Sequence, residues 1–180
     1  MLIHGTTVIG LKKNNRVAMG ADGQVTIGET IVKSKAKKIR LLYNNTIIAG
    51  FAGAVADAMM LFELFENKLE EHKGQMYRAA IGLVKEWRTD KYLRNLEAML
   101  TVYDQNNGLL ISGTGEIIEP DDGIIAIGSG GNYALAAARA LIQLPGMDAI
   151  QVVQKSLEVA ADICVYTNHN FYIKELINEE

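Results

Sequence analysis

The chain alternates between two textures. In its first third the apolar segments are short and rich in β-branched residues. TVIGL and RVAMGA flank the polar KKNN, and GQVTIGETIV repeats the pattern around Gly28-Glu29. Such runs, separated by Asn and Gly, predict antiparallel strands joined by hairpin turns. TIIAGFAG follows, a β-branched run that ends in small residues. From Ala54 to about His72 the period changes: Ala58, Leu61, Phe62, Phe65 and Leu69 recur at three- and four-residue intervals. That stripe predicts an amphipathic helix, punctuated by Gly74. A second helical stripe runs through Ala79, Ala80, Leu83, Val84 and Trp87, with Leu93 and Leu96 beyond the polar RTDK.

Strand texture then returns in MLTVY, GLLISGTG, EIIEP and GIIAIGSG, separated by the turns QNNG, GTGE and PDDG. Two more helices are predicted: GNYALAAARALI, ending near Pro145-Gly146, and AIQVVQKSLEVAADICVY, with Asp148 placed as its N-cap. FYIKEL reads as a last short strand. The order is strands, two helices, strands, two helices, which disfavours a doubly wound parallel sheet. It predicts an α+β fold of four layers, αββα. Two mainly antiparallel sheets pack face to face and a helix pair covers each outer face. Covering both faces of a sheet accounts for strands such as TIIAGF and GIIAIG, which are apolar throughout.

The length of 180 residues suits one domain with a sizeable core. Almost half the residues are apolar, yet no apolar run approaches a membrane span. The net charge of −3 gives no basic field for nucleic acid. The single cysteine, Cys164, excludes an internal disulfide and fits a reducing compartment. His4, His72 and His169 are scattered, with no HExxH, which disfavours a zinc site of standard spacing. The expectation is a cytoplasmic protein with neither a membrane nor a nucleic-acid partner.

Four places could carry chemistry. The first is Gly5-Thr6-Thr7. Taken alone, two β-branched residues opening a strand are the more ordinary reading. The sharper reading makes residues 1–5 a leader, too short for a signal peptide, whose removal leaves Thr6 as the N-terminus. A threonine hydroxyl needs a base, and an N-terminal threonine carries one in its own α-amine. That amine has a reference pKa of about 7.7–8.0, so a modest depression leaves it neutral near pH 7. Residues 6–180 then form a single domain. Thr7, on the opposite side of the strand, ranks well below Thr6 as a nucleophile.

The second place is Asp22 in GADGQ, a turn former or a carboxylate that holds a nearby cation. The third is KSKAKKIR, either a solvated basic edge or the source of one inward ammonium. On strand parity Lys33, Lys35 and Lys37 share one face, while Lys38 shares the other with Val32, Ser34 and Ala36. Lys38 is therefore the candidate to lower an amine's pKa by like-charge repulsion. The fourth is AIGSGGNYALAAARAL, a strand, a Gly-rich loop and a helix. That arrangement suggests phosphate at a helix N-terminus. The full GxGxxG is absent, because Tyr133 stands at the third Gly, and no GK[ST] follows. Ser129 is the alternative contribution of this loop, and a tight turn that needs glycine is the plain one.

Taken in order, GTT, GADGQ, KKIRLLYN, AGFAG, ADAMMLFELFENKLEEH, EWRTDKYLRNLEA, SGTGEIIEPDDGIIAIGSGGNYALAAARAL and ADICVYTNH cover essentially the whole chain. In this set the sequence resembles the HslV (ClpQ) family, the proteasome-β-like peptidases of bacterial HslUV proteases. The resemblance implies the αββα sandwich of N-terminal-nucleophile hydrolases and a threonine-type endopeptidase acting on unfolded proteins. It places the nucleophile on Thr6, the motif Asp and Lys on Asp22 and Lys38, the oxyanion-hole glycine on Gly50 and the loop serine on Ser129. It further implies a monovalent cation, sodium, held by carbonyls of Ala161, Cys164 and Thr167. The first of these positions is commonly Gly in the family. Cys164 then acts through its backbone and not its thiol. The implied partners are a hexameric HslU-type ring ATPase, which alone uses ATP, and further copies of the chain in two stacked hexameric rings. Two other readings stand beside it: a non-catalytic ring subunit, and a phosphate or nucleotide binder built on GSGG. The five-residue leader departs from the many family members with only an initiator Met, and its removal requires self-cleavage at Gly5-Thr6 or another protease.

Overall fold

The computed structural model describes residues 3–4, 6–93 and 98–176. Met1, Leu2 and Gly5 of the expected leader, and Leu96 of the second helical stripe, lie outside the described residues. A short strand, β1 (Ile3–His4), precedes β2 (Thr7–Lys13) and β3 (Arg16–Asp22). The KKNN turn between β2 and β3 places Asn14 and Asn15 at φ 51° and 60°. Two successive residues in this region make the tight turn that matches strand twist, and Asn tolerates it better than most side chains. A second hairpin, β4 (Val25–Ile27) and β5 (Thr30–Lys33), turns at Gly28 and is followed by β6 (Ile39–Leu42) and β7 (Ile47–Ala52).

Helices α1 (Val55–Glu71) and α2 (Met76–Thr89) come next, then β8 (Met99–Tyr103), β9 (Gly108–Ser112), β10 (Ile117–Ile118) and β11 (Ile125–Gly128). The chain continues through α3 (Gly131–Leu141) and α4 (Ala149–Ile163) to β12 (Phe171–Leu176). Asp148 caps α4 as expected: its side chain accepts from the Gln151 N–H, and the Gln151 side chain accepts in return from the Asp148 N–H. This reciprocal pairing satisfies two donors that a helix start leaves open.

The strands form a five-stranded sheet, order β10-β9-β8-β7-β6, and a four-stranded sheet, order β11-β2-β3-β12. Alternation along the strands divides the apolar residues among three cores. Ile47, Ala49 and Phe51 of β7 pack with Leu61, Phe65, Leu83 and Trp87 of α1 and α2. Val8, Met19, Ile48 and Tyr103 fill the space between the sheets. Ile9, Leu11 and Ala18 face Ala134, Val153 and Leu157 of α3 and α4. Neighbouring residues of one strand thus enter different cores, as a period of two requires. These are the four layers of the αββα prediction.

Three local details differ from the sequence reading. A third, three-stranded sheet, order β1-β4-β5, stands apart from the two large ones. Residues 34–38 do not continue β5, so strand parity is not what turns Lys38 inward. Lys38 lies just before β6, where its carbonyl accepts the Phe51 N–H at 3.2 Å and anchors it to the edge of the large sheet. Finally, α4 stops at Ile163, and Cys164 is already extended at φ −90°, ψ 116°. Tertiary hydrogen bonds of Thr167 and Asn168, described next, override the helical pattern that runs on through Val165 and Tyr166. Among the described residues no helix is long and apolar enough to cross a membrane.

Candidate active site

The hairpin register sets the site. Val8 pairs with Ala21, so Thr7 stands opposite Asp22, one step closer to the open end. Asp22 is fully buried. Its Oδ1 accepts the Thr7 N–H at 2.8 Å and Lys38 Nζ at 2.8 Å. Its Oδ2 accepts the Gln24 N–H at 2.8 Å and the Asn168 N–H at 3.3 Å. Four donors around one carboxylate compensate the loss of water that burial imposes on a charge. Burial pulls the Lys38 ammonium below the ordinary lysine value, and the adjacent Asp22 carboxylate opposes that shift.

Thr6 and Lys38 line the same cavity, which has a volume of about 620 Å³ and also borders Gly53. The backbone of Thr6 is gripped from the other side. Ser129 donates its N–H to the Thr6 carbonyl at 2.8 Å. Gly128 has φ 89°, and a Cβ there would lie 2.0 Å from that same oxygen. Only glycine admits both the dihedral and the approach. The next amide, Gly130 N–H, donates to Thr7 Oγ1 at 3.0 Å. The Gly-rich loop thus spends the Ser129 and Gly130 N–H groups on Thr6 and Thr7 and does not aim them at an anion.

Thr6 and Thr7 diverge as adjacent residues of an extended chain do. Thr6 borders the cavity, whereas the Thr7 hydroxyl is buried against Thr167 Oγ1 at 2.7 Å. Thr167 in turn donates its N–H to the Cys164 carbonyl at 3.0 Å. Ala161, Cys164 and Thr167 therefore sit together where α4 ends, beneath the Thr7 side of the hairpin.

Gly50 is not brought to this cavity. It lies in mid-strand, paired with Ile39 on one side and Thr101 on the other. Because the Phe51 N–H points to β6, the alternation of the strand turns the Gly50 N–H to β8, into the ladder. A Cβ on Gly50 would meet Val8 Cγ1 at 2.5 Å and Met19 Sδ at 2.8 Å, so the glycine serves close sheet packing. Gly53, three residues on and at φ 144°, is the glycine that borders the cavity. The sequence reading did not single out Gly53, although the second Gly of AGFAG at the strand end was its signal. It also passed over Gln24 and Asn168. The Gln24 side chain ties Thr26 Oγ1 to the Val165 carbonyl, at 3.1 and 3.0 Å. The Asn168 side chain accepts the Gly23 N–H at 3.2 Å and donates to the Ser34 carbonyl at 3.0 Å.

Residues 3–176 match the proteasome subunit family. The chain belongs to the proteasome family. The solved structure of eukaryotic HslV from Trypanosoma brucei is 45% identical to this proteasome subunit. It superposes with a TM-score of 0.91 over 96% of this chain and 99% of that one, which makes the present subunit one of the HslV type. Thiobacillus denitrificans BPH, alone and in complex with epoxomicin, is 18% and 19% identical with TM-scores of 0.69 and 0.72. Each alignment covers 96% of this chain and 100% of that one, and shows the shared fold. This proteasome-family chain is an α+β sandwich of the N-terminal-nucleophile type and a threonine peptidase subunit of a proteasome-like protease.

Proposed function

We propose that Thr6 is the nucleophile, released as a new N-terminus when residues 1–5 are removed, and that the chain is the peptidase of an ATP-dependent protease. The observation that carries this is the placement of Thr6 beside Lys38 in one cavity, with Lys38 Nζ held 2.8 Å from buried Asp22. Thr6 Oγ attacks a peptide carbonyl while the Thr6 α-amine takes its proton, directly or through a water. The positive charge of Lys38 keeps that amine neutral by repulsion, and Asp22 fixes Lys38 in place. A backbone N–H at the cavity wall stabilises the oxyanion. Gly53 fits that role better than Gly50, whose N–H is spent in the ladder. The tetrahedral intermediate collapses to an ester on Thr6 with loss of the amine fragment, and water hydrolyses the ester. The Ser129 N–H holds the Thr6 carbonyl through both steps.

The leader strand β1 pairs antiparallel with β4, Ile3 opposite Ile27 and His4 opposite Thr26. Its removal frees that β4 edge beside the cavity, where an extended substrate adds as a strand. The carbonyls of Ala161, Cys164 and Thr167 suit a hard monovalent cation such as sodium. They are oxygen donors at the negative end of α4, and the helix ends before the N–H that would answer Ala161. The ion would brace the loop that carries Thr167 and Asn168. The subunit works in the cytoplasm, in two stacked hexameric rings, and receives unfolded proteins from an HslU-type ATPase.

The test is the intact mass of the purified chain together with peptidase assays. A chain beginning at Thr6, and a Thr6→Ala variant that keeps residues 1–5 and loses activity, are the expected results. Full activity in Thr6→Ala overturns the assignment.

A further inference from the structure

The cavity beside Thr6 has a charge that the chain as a whole does not share. The protein carries a net charge of −3, yet five of the residues lining the cavity are Lys or Arg, and none of the described lining residues is acidic. Lys38 is neutralised by Asp22, which leaves four cations. Lys33, Lys35 and Lys37 are exposed around the mouth. Arg40 Cζ lies over the Phe62 ring, 5.3 Å from its centroid, so its charge is held over an apolar surface. The deeper wall is apolar: Phe51, Ala58 and Phe62 are all buried. Lys37 leans over the Tyr172 ring at 5.4 Å and keeps its charge. Among the described residues, neither Lys33 nor Lys35 has an ion-pair partner.

We propose that this cavity selects extended peptide segments in which an apolar side chain is flanked by acidic residues. The apolar group enters against Phe51, Ala58 and Phe62, and the flanking carboxylates meet Lys33, Lys35 and Lys37. The inference rests on the cavity being the peptide-binding part of the proposed peptidase. Apolar burial supplies the affinity and charge supplies the choice, a division usual at binding surfaces. Exposed cations act through a screened field, with a Debye length of about 10 Å at 0.1 M salt. The choice therefore fades as salt rises, while apolar burial does not weaken.

The experiment measures binding of three peptides to the full chain by fluorescence anisotropy with an uncharged dye. Each peptide carries one Leu, flanked by Glu, Gln or Lys. At low salt the Glu peptide binds tightest and the Lys peptide weakest, with about tenfold between them for three exposed pairs. High salt collapses the series, and Lys33→Glu combined with Lys35→Glu flattens it, because two anions then balance Lys37 and Arg40. Both residues are exposed, so the fold tolerates the change, which circular dichroism verifies. Equal affinities overturn the proposal, as does no binding of any peptide, or a ranking that survives high salt or charge reversal. Cleavage of the Gln peptide is followed in parallel and reports on the peptidase alone. A chain that cleaves it without ranking the charged pair loses only the selectivity, and a chain that ranks the peptides without cleaving loses only the peptidase.

Discussion

The hydroxyl oxygens of Thr7 and Thr167 lie 2.7 Å apart, although 160 positions separate the two residues in the chain. Both are buried, and Thr7 Oγ1 also accepts the Gly130 N–H at 3.0 Å. This bond joins β2, the Gly-rich loop and the segment after α4 at one point. Thr7→Val keeps the shape but leaves the Gly130 N–H and the Thr167 hydroxyl without a partner, which costs about 1–3 kcal/mol. Thr7→Ser keeps the hydroxyl and loses only a methyl, about 1 kcal/mol. Thermal unfolding of both variants checks the order. A Val variant as stable as the Ser variant would show that the hydroxyl contributes nothing.

Lys38→Met leaves the Asp22 charge buried without its cation. Removing one member of a buried pair costs about 3–5 kcal/mol, so a lowered Tm is expected together with loss of peptidase turnover. Asp22→Asn lowers Tm as well, because its amide must face donors where the carboxylate presented only acceptors. The double variant loses less than the sum of the two single losses, since neither charge is then stranded. A double-mutant cycle by chemical denaturation measures the coupling, and strict additivity would mean that the pair does not act as a unit.

Gly128→Ala places a methyl 2.0 Å from the Thr6 carbonyl oxygen and forces φ 89° on an alanine. The cheapest relief is to move Thr6 or the loop, which breaks the Ser129 N–H contact. Peptidase kcat is expected to fall by orders of magnitude, because small misplacement of a reacting group is costly, while apolar peptides still bind. Steady-state kinetics beside a binding assay separates these effects, and unchanged kcat would disconnect the loop from Thr6.

Tyr103 gives a pH dependence with a definite sign. Its hydroxyl is buried between the sheets and shares its one proton between the carbonyls of Gly10 at 2.7 Å and Gly123 at 3.0 Å. Burial pushes its pKa far above the usual tyrosine value. The unfolded tyrosine loses its proton near 10 and the folded one does not, so the Tyr103 contribution is intact below about pH 10 and declines as pH rises past it. At pH 11 the loss is about 1.4 kcal/mol. Tyr103→Phe is therefore less stable than the parent at pH 8, and the gap narrows by about that amount at pH 11. Denaturant unfolding at the two pH values tests this, with the other tyrosines common to both proteins. A constant gap would contradict it.

The order of layers was legible because each large sheet is covered on both faces and its strands are correspondingly apolar. Helix α1 was legible from Ala58 to Leu69, and the start of α4 from Asp148. What misled was parity at Lys33 to Lys38. Parity turns Lys38 inward only on a strand that the chain does not form. Lys38 is turned inward by the hydrogen bond of its carbonyl to Phe51, a contact thirteen residues distant that no local pattern announces. The same holds for Cys164 to Asn168, where a helical pattern yields to polar contacts with Thr7 and Asp22. Gly50 and Gly53 share one short motif, and only the hydrogen-bond direction of β7 separates the sheet-packing glycine from the one at the cavity.

The two-asparagine turn between β2 and β3 works as a gauge. It lies at the far end of the hairpin from the cavity, yet it fixes the count along both strands and so decides that Thr7 meets Asp22. One residue more or fewer in that turn would slide the strands and present the other face of β2 at the open end, exchanging the positions of two adjacent threonine hydroxyls. The chemistry at one end of the ribbon is thus dimensioned by Asn14 and Asn15 at the other, and a lesion there would abolish activity without touching a single cavity-lining residue.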